Sequence, residues 1–233
     1  RLHRELQALL DDLALDRSVE VEALADGAGR GEHFVGRQVQ AHPASLPRAP
    51  GAACRADQIG VMIDGARLAS PRLLAAAHHA LLMHPRAIVF TQSLQLGFEP
   101  QWRAAKTGYD QHQEDALLDG IGWPDNGYRL FEIASWARES RDYSRWLEPA
   151  YESNALFMPR ALWEETGGYD PAFQSPGGGL ASHDLFRRAC DLPGTQLIKI
   201  VGEATFHQFH GDSASTSHLD APNRLKAFAR EYS

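Results

Sequence analysis

The chain is poor in cysteine, in methionine and in long apolar runs. Only two of its 233 residues are cysteines, Cys54 and Cys190, and they stand far apart without Cys-x-x-Cys spacing. That excludes a disulfide-stapled scaffold and a cysteine zinc site, and both thiols read as small buried residues. No stretch approaches the ~20 consecutive apolar residues of a membrane-spanning helix, and the opening residues carry no secretory-leader pattern. Positive charge is short as well. The 23 Lys and Arg against 30 Asp and Glu leave a net charge of −7, the wrong sign for a protein that neutralises many nucleic-acid phosphates.

What is present is the material of a globular domain. A chain that is 43% hydrophobic and 23% charged buries a substantial core, and no repeat or composition break divides it, so residues 1–233 are expected to form one domain. Leu2, Leu6, Leu9, Leu10 and Leu13 recur at helical spacing, predicting an amphipathic helix to about Asp16. Val19 and Val21 alternate with Glu20 and Glu22, predicting a strand that ends at Ala25-Asp26-Gly27. A long Gly-, Pro- and Arg-rich loop follows, with one short helix expected near Phe34–Gln40.

Ile59-Gly60-Val61-Met62-Ile63 is a continuous apolar run, the pattern of a strand buried on both faces. Ser70-Pro71 supplies an N-cap and a first-turn proline for a helix through about Met83, and Ala87–Thr91 reads as the next buried strand. This alternation predicts an α/β fold with parallel strands joined by crossovers, and ligands in such sheets bind beyond the carboxyl ends of the strands. From Gln92 to about Leu147, tryptophans and tyrosines stand among polar residues without periodicity, predicting an excursion of helices and loops over the sheet. Asn154–Met158 restores a strand, and Pro159 opens a helix that stops at Gly167-Gly168. A helix around Asp184–Ala189, two closing strands at Leu197–Val201 and Ala204–Phe209, and a terminal helix at Pro222–Tyr232 complete the pattern.

Four fragments carry the chemistry in this order: Ala25-Asp26-Gly27; Met62-Ile63-Asp64-Gly65-Ala66; Glu164-Glu165-Thr166-Gly167-Gly168-Tyr169-Asp170 with Ser182-His183-Asp184-Leu185-Phe186-Arg187-Arg188; and His207-Gln208-Phe209-His210-Gly211. Together they resemble the family-two glycosyltransferases of the GT-A fold, over most of the chain from Val19 to Gly211. The resemblance implies a single Rossmann-like GT-A domain with a mostly parallel central sheet flanked by helices. Residues 1–91 would be its nucleotide-binding half and 92–233 its acceptor-binding and catalytic half, with a first strand expected before Arg1.

The function implied is that of an inverting glycosyltransferase of carbohydrate biosynthesis. It would move a sugar from a UDP- or GDP-type donor to a hydroxyl of a sugar, lipid or protein acceptor. Asp26 matches the aspartate that contacts base or ribose, where a carboxylate accepts charge-assisted hydrogen bonds. Asp64 occupies the first position of the family's Asp-x-Asp motif, which holds Mn2+ or Mg2+ against the donor diphosphate. The second motif aspartate is replaced by Ala66. His210 matches the late metal-binding histidine, and His207 is its possible partner as ligand.

Asp184 is the carboxylate at the position of the acceptor-activating base, with Ser182 where a further aspartate often stands. Read as a residue alone, Asp184 equally complements a helix dipole. His183 either orients substrate or faces solvent, and Trp123 offers either a stacking surface for sugar or a core ring. Two alternatives stand beside the transferase: a degenerate GT-A domain that binds nucleotide or carbohydrate without catalysis, and a nucleotidyltransferase. A cytoplasmic location is expected, with peripheral attachment at the inner membrane face as its variant.

Overall fold

The apolar run at Gln58–Ile63 is continuous because both of its faces are covered. In the computed structural model, which describes residues 19–25, 39–40, 56–63, 67–136, 155–173 and 180–209, this run is strand β3. Its Ile59 and Val61 join the core beneath one pair of helices, and its Met62 joins the core on the opposite face. No polar side of the strand is left to generate an alternating pattern.

β3 lies between β1 (Val19–Ala25), parallel to it in the register Leu24↔Ile63, and β7 (Ala155–Pro159), antiparallel to it. β2 (Val39–Gln40) runs parallel to β1, so the helix expected near Phe34–Gln40 gives way to strand at its end. The remaining strands are β4 (Arg67–Ala69), β5 (Ala87–Leu96), β6 (Ala134–Trp136) and β8 (Gln196–His207). The sheet order is β2-β1-β3-β7-β5-β8-β4, with β6 pairing to β5. β1, β2, β3, β5 and β8 share one direction, while β4, β6 and β7 oppose it. The fold is therefore mixed α/β with a partly parallel sheet: the parallel strands expected from the alternation are present, and the antiparallel β7 interrupts them between β3 and β5.

The two closing strands expected at 197–209 are one strand. β8 pairs with β5 from Ala87↔Gln196 to Gln95↔His207, and its register shifts between Thr91 and Gln92. Gly202 lies at that irregularity with φ of 93°, a backbone region open to glycine. The Thr91 hydroxyl fastens the bulge by donating to the Glu203 carbonyl. The bulge splits one strand into two apolar runs.

Ser70 also serves the bulge and not the helix it was expected to cap. Its hydroxyl donates to the Glu203 carboxylate and accepts from the Ala204 N–H at 2.9 Å. Helix α1 (Leu73–Leu81) starts after Arg72 with no side-chain cap. α1 covers one face of the sheet through Leu73, Leu74, Ala77 and Leu81.

The other face is covered by α4 (Arg160–Thr166) and α5 (Ala181–Asp191). Pro159 precedes α4 and Gly167, at φ of 77°, ends it, as the sequence predicts. Leu185 and Phe186 of α5 bury against β5, with the Phe186 ring edge-on to Phe90 at 5.7 Å. Such burial stabilises by about 1.5–3 kcal/mol per large side chain. Cys190 is half-buried beside this core, where burial pushes its thiol up.

Between β5 and β6 the chain makes the expected excursion. It contains α2 (Gln101–Ala104), a 3-10 turn (Ala105–Thr107), α3 (Gln111–Gly120) and a second 3-10 segment (Gly127–Glu132). Asp110 caps α3 by accepting from the Gln113 N–H at 2.9 Å. Leu118, Ile121, Leu130 and Ile133 then pack on Leu94, Leu96 and Phe206. The excursion is thereby seated where β5 and β8 end. The helices expected at residues 2–16 and 222–232 lie outside the described residues.

Candidate functional site

The parallel strands place their carboxyl ends, Ala25, Ile63, Leu96 and His207, along one edge of the sheet. Asp26 follows β1 directly in the chain and Asp64 follows β3 directly. Asp26, Asp64 and His210 themselves lie outside the described residues, as does Ala66.

His207, the last residue of β8, is 6% exposed. Its Nδ1 lies 2.7 Å from Oε1 of Gln101, which is fully buried in the first turn of α2. The Gln101 side-chain amide donates to the carbonyls of His207 at 3.0 Å and Leu96 at 3.4 Å, and its backbone N–H donates to Gln95 Oε1 at 2.9 Å. These bonds tie the ends of β5 and β8 to the start of the excursion.

A second buried polar group sits beside this knot. Glu114 of α3 is 1% exposed, and its Oε2 accepts the backbone N–H of Phe209 at 2.8 Å and the Tyr109 hydroxyl at 3.4 Å. Burial is the largest influence on this carboxyl and pushes its pKa up to about 7, against the lowering effect of the hydrogen bonds from Phe209, Tyr109 and Gln208. Burial and the Glu114 charge push the Tyr109 phenol up too. The Tyr109 ring stands edge-on to Phe209 at 5.7 Å. Gly97 faces the same ring so closely that an added Cβ would lie 3.2 Å from it.

Asp184 occupies the first turn of α5, 6% exposed. Its Oδ2 accepts from Arg188 Nε at 2.7 Å, and its Oδ1 lies 3.6 Å from Arg187 Nη2. Arg188 in turn donates to the carbonyls of Thr166 and Gly168 at the end of α4. The carboxylate thus holds a guanidinium that satisfies the open carbonyls of a helix terminus. His183 is half-buried one residue earlier. Trp123 is half-buried against the core under the excursion, packed near Gly127.

Of the sequence-predicted residues, His207 lies among buried hydrogen-bonding groups at the sheet edge, while Asp184 and His183 lie on α5. Sequence reasoning missed Gln95, Gln101, Tyr109 and Glu114. One signal was available for Glu114: it stands on the helical stripe continued by Leu117, Leu118 and Ile121, where an apolar residue is the rule. Gln101 carries no comparable mark.

The imidazole of His207 fits a role as metal ligand in one respect: its Nδ1 side is held by a second residue, the usual support of a ligating histidine. Among the described residues, no group of three His, Cys, Asp or Glu side chains gathers to hold a metal ion. No helix among them is long and apolar enough to cross a membrane. No protein-family model matches the chain, and no curated protein matches it.

Proposed function

We propose that the protein is an inverting glycosyltransferase of the GT-A type, transferring a sugar from a nucleoside diphosphate donor to a hydroxyl acceptor. One observation carries the reading: β1 and β3 are parallel neighbours in the register Leu24↔Ile63, and an aspartate follows each of them directly in the chain. Aspartates that follow the ends of adjacent parallel strands in the chain suit the crevice at which open α/β sheets bind ligands.

In this reading Asp26 takes hydrogen bonds from the base or ribose. Asp64, with His210 and His207, would hold a divalent cation, whose charge offsets that of the donor diphosphate as the nucleoside diphosphate departs. Mn2+ or Mg2+ suits Asp64 as a carboxylate ligand, and the imidazoles favour Mn2+. The acceptor hydroxyl attacks the anomeric carbon from the face opposite the leaving group and gives its proton to a base, the role assigned to Asp184. His183 and Trp123 would orient sugar. The excursion seated at the ends of β5 and β8 is the acceptor-binding part, which makes 92–233 the catalytic half. Cytoplasmic placement belongs to the same proposal.

A second reading is favoured by the ion pairs of Asp184. A carboxylate engaged by Arg187 and Arg188 and fastened to the end of α4 serves structure, which fits a GT-A-type domain that binds nucleotide or carbohydrate without transfer. The deciding experiment is a panel of nucleotide sugars and hydroxyl acceptors, with and without Mn2+. Release of nucleoside diphosphate with glycosylated product supports the transferase. Binding of nucleoside diphosphate without turnover supports the second reading, and release of pyrophosphate would replace both with nucleotidyl transfer.

A further inference from the structure

We propose that Asn126 is a site of spontaneous deamidation, and that a clasp between Tyr128 and Glu203 sets how fast it reacts. Asn126 is the one asparagine of the chain that precedes a glycine, since Asn154 and Asn223 precede Ala155 and Arg224. A following glycine has no Cβ to hold its backbone nitrogen away from the side-chain amide. Asn126 is exposed at the N-cap of the Gly127–Glu132 segment, and its side chain makes no cap bond. The amide is thus open to attack and not committed to the helix terminus, where asparagine is ordinarily held.

The reaction needs only water. The Gly127 nitrogen attacks Asn126 Cγ, the new C–N bond closes a succinimide ring, and the Cγ–Nδ2 bond breaks as ammonia leaves with the proton from Gly127. Water then opens the ring at either carbonyl, giving aspartate or isoaspartate and one new carboxylate. Ring closure requires the peptide between the two residues to turn, and three contacts resist it. The Asn126 carbonyl accepts from the Arg129 N–H at 2.9 Å. Gly127 lies so close to Pro71 that an added Cβ would stand 2.6 Å from its Cγ. The Tyr128 hydroxyl donates to the Glu203 carboxylate at 2.7 Å, and the same carboxylate accepts from the Ser70 hydroxyl and from the Arg72 N–H at 3.3 Å.

The Tyr128 bond ties this segment to the bulge of β8. Burial, and then the bond to Glu203, push the Tyr128 phenol up to about 12, so the clasp persists at the mildly alkaline pH that speeds the attack. The reaction therefore proceeds from locally opened molecules, at a rate that follows their population. Isoaspartate routes the main chain through the former side chain, one carbon longer, immediately before the glycine packed on Pro71. The clasp then no longer closes in register, and the excursion loosens from the bulge. None of this depends on the transferase reading.

The whole chain is incubated at mildly alkaline pH in heavy-oxygen water, folded and in urea, and the three asparagines are compared by peptide mass spectrometry. Folded wild type should take up label at Asn126 ahead of Asn154 and Asn223, and more slowly than in urea. Tyr128→Phe should raise the folded rate by about 3–10-fold, the worth of one hydrogen bond, and Asn126→Gln should abolish the uptake. Hydrogen exchange at 127–132 should be faster in the isoaspartate fraction than in fresh protein. No label at Asn126 in the folded chain, or no preference for it over the other two, overturns the site. Equal rates in folded and urea-unfolded wild type overturn the clasp, so a Tyr128→Phe protein that fails to fold does not shield it. Equal rates in folded wild type and folded Tyr128→Phe overturn it as well.

Discussion

Glu114 illustrates how much a single residue can carry against its local pattern. A carboxyl on the apolar stripe of α3 is costly to charge, which is why its pKa sits at about 7 and not at the ordinary 4.5. Between those values the folded protein keeps a proton that the unfolded chain has lost, so stability falls as pH rises from about 4.5 to about 7 and levels off above. The displacement corresponds to roughly 3 kcal/mol. Glu114→Gln keeps an acceptor for Phe209 N–H and removes the ionisation. Urea unfolding at pH ~5 and ~8 should therefore show the variant gaining on the wild type at the higher pH by up to that amount. An equal difference at both pH values would remove Glu114 as the source. Asp184 poses a different residue-scale question, since its role is read from position in the sequence and from ion pairs in the structure. If it chiefly clamps Arg188, then Asp184→Asn and Arg188→Met each cost about 1.5–3 kcal/mol and the double variant costs little more than either. Additive losses in denaturant unfolding would reject the clamp. Loss of transfer with stability intact would support the base.

At the scale of elements, the bulge of β8 gives the sharpest expectation. Gly202 has φ of 93°, and a Cβ added there meets nothing within 4 Å. Gly202→Ala should therefore cost about 1–2 kcal/mol through backbone strain alone, lowering the denaturation midpoint with an unchanged m-value. Gly127→Ala is the contrasting case, because its Cβ would lie 2.6 Å from Pro71 Cγ and force a shift in packing. Which elements were legible follows the same physics. β3 and β7 are continuous apolar runs covered on both faces, and α4 is framed by Pro159 and Gly167, so local chemistry alone marks them. β4 was not legible because Arg-Leu-Ala becomes strand only by pairing with β8 across the sheet. Ser70 reads locally as a helix cap, yet Glu203 and Ala204, remote in sequence, claim its hydroxyl. Of the candidate site, His207 could be named from its motif, but Gln101 becomes significant only when the ends of β5 and β8 are brought together.

For the molecule as a whole, sheet direction is the property that local patterns could not supply. An apolar run specifies a buried strand but not whether its neighbour runs with it, and β7 runs against both β3 and β5. What survives this correction is the edge at which β1, β3, β5 and β8 end together, where the chain continues into Asp26 and Asp64. If that edge takes a nucleoside diphosphate with a cation, the ligand binds the folded state alone and must stabilise it. At one hundred times the dissociation constant the gain is about 2.7 kcal/mol, enough for a shift of about 5–11 °C in the thermal midpoint at this chain length. UDP and GDP should therefore be compared by thermal unfolding with and without Mn2+. The expected outcome is a nucleotide-specific rise that requires Mn2+ and is lost in Asp64→Asn, with Asp26→Asn reducing it at every Mn2+ concentration. A rise that persists in Asp64→Asn would detach the nucleotide from the cation. No rise with either nucleotide, at concentrations reaching the millimolar range where weak donors still bind, would remove the nucleotide from this edge altogether.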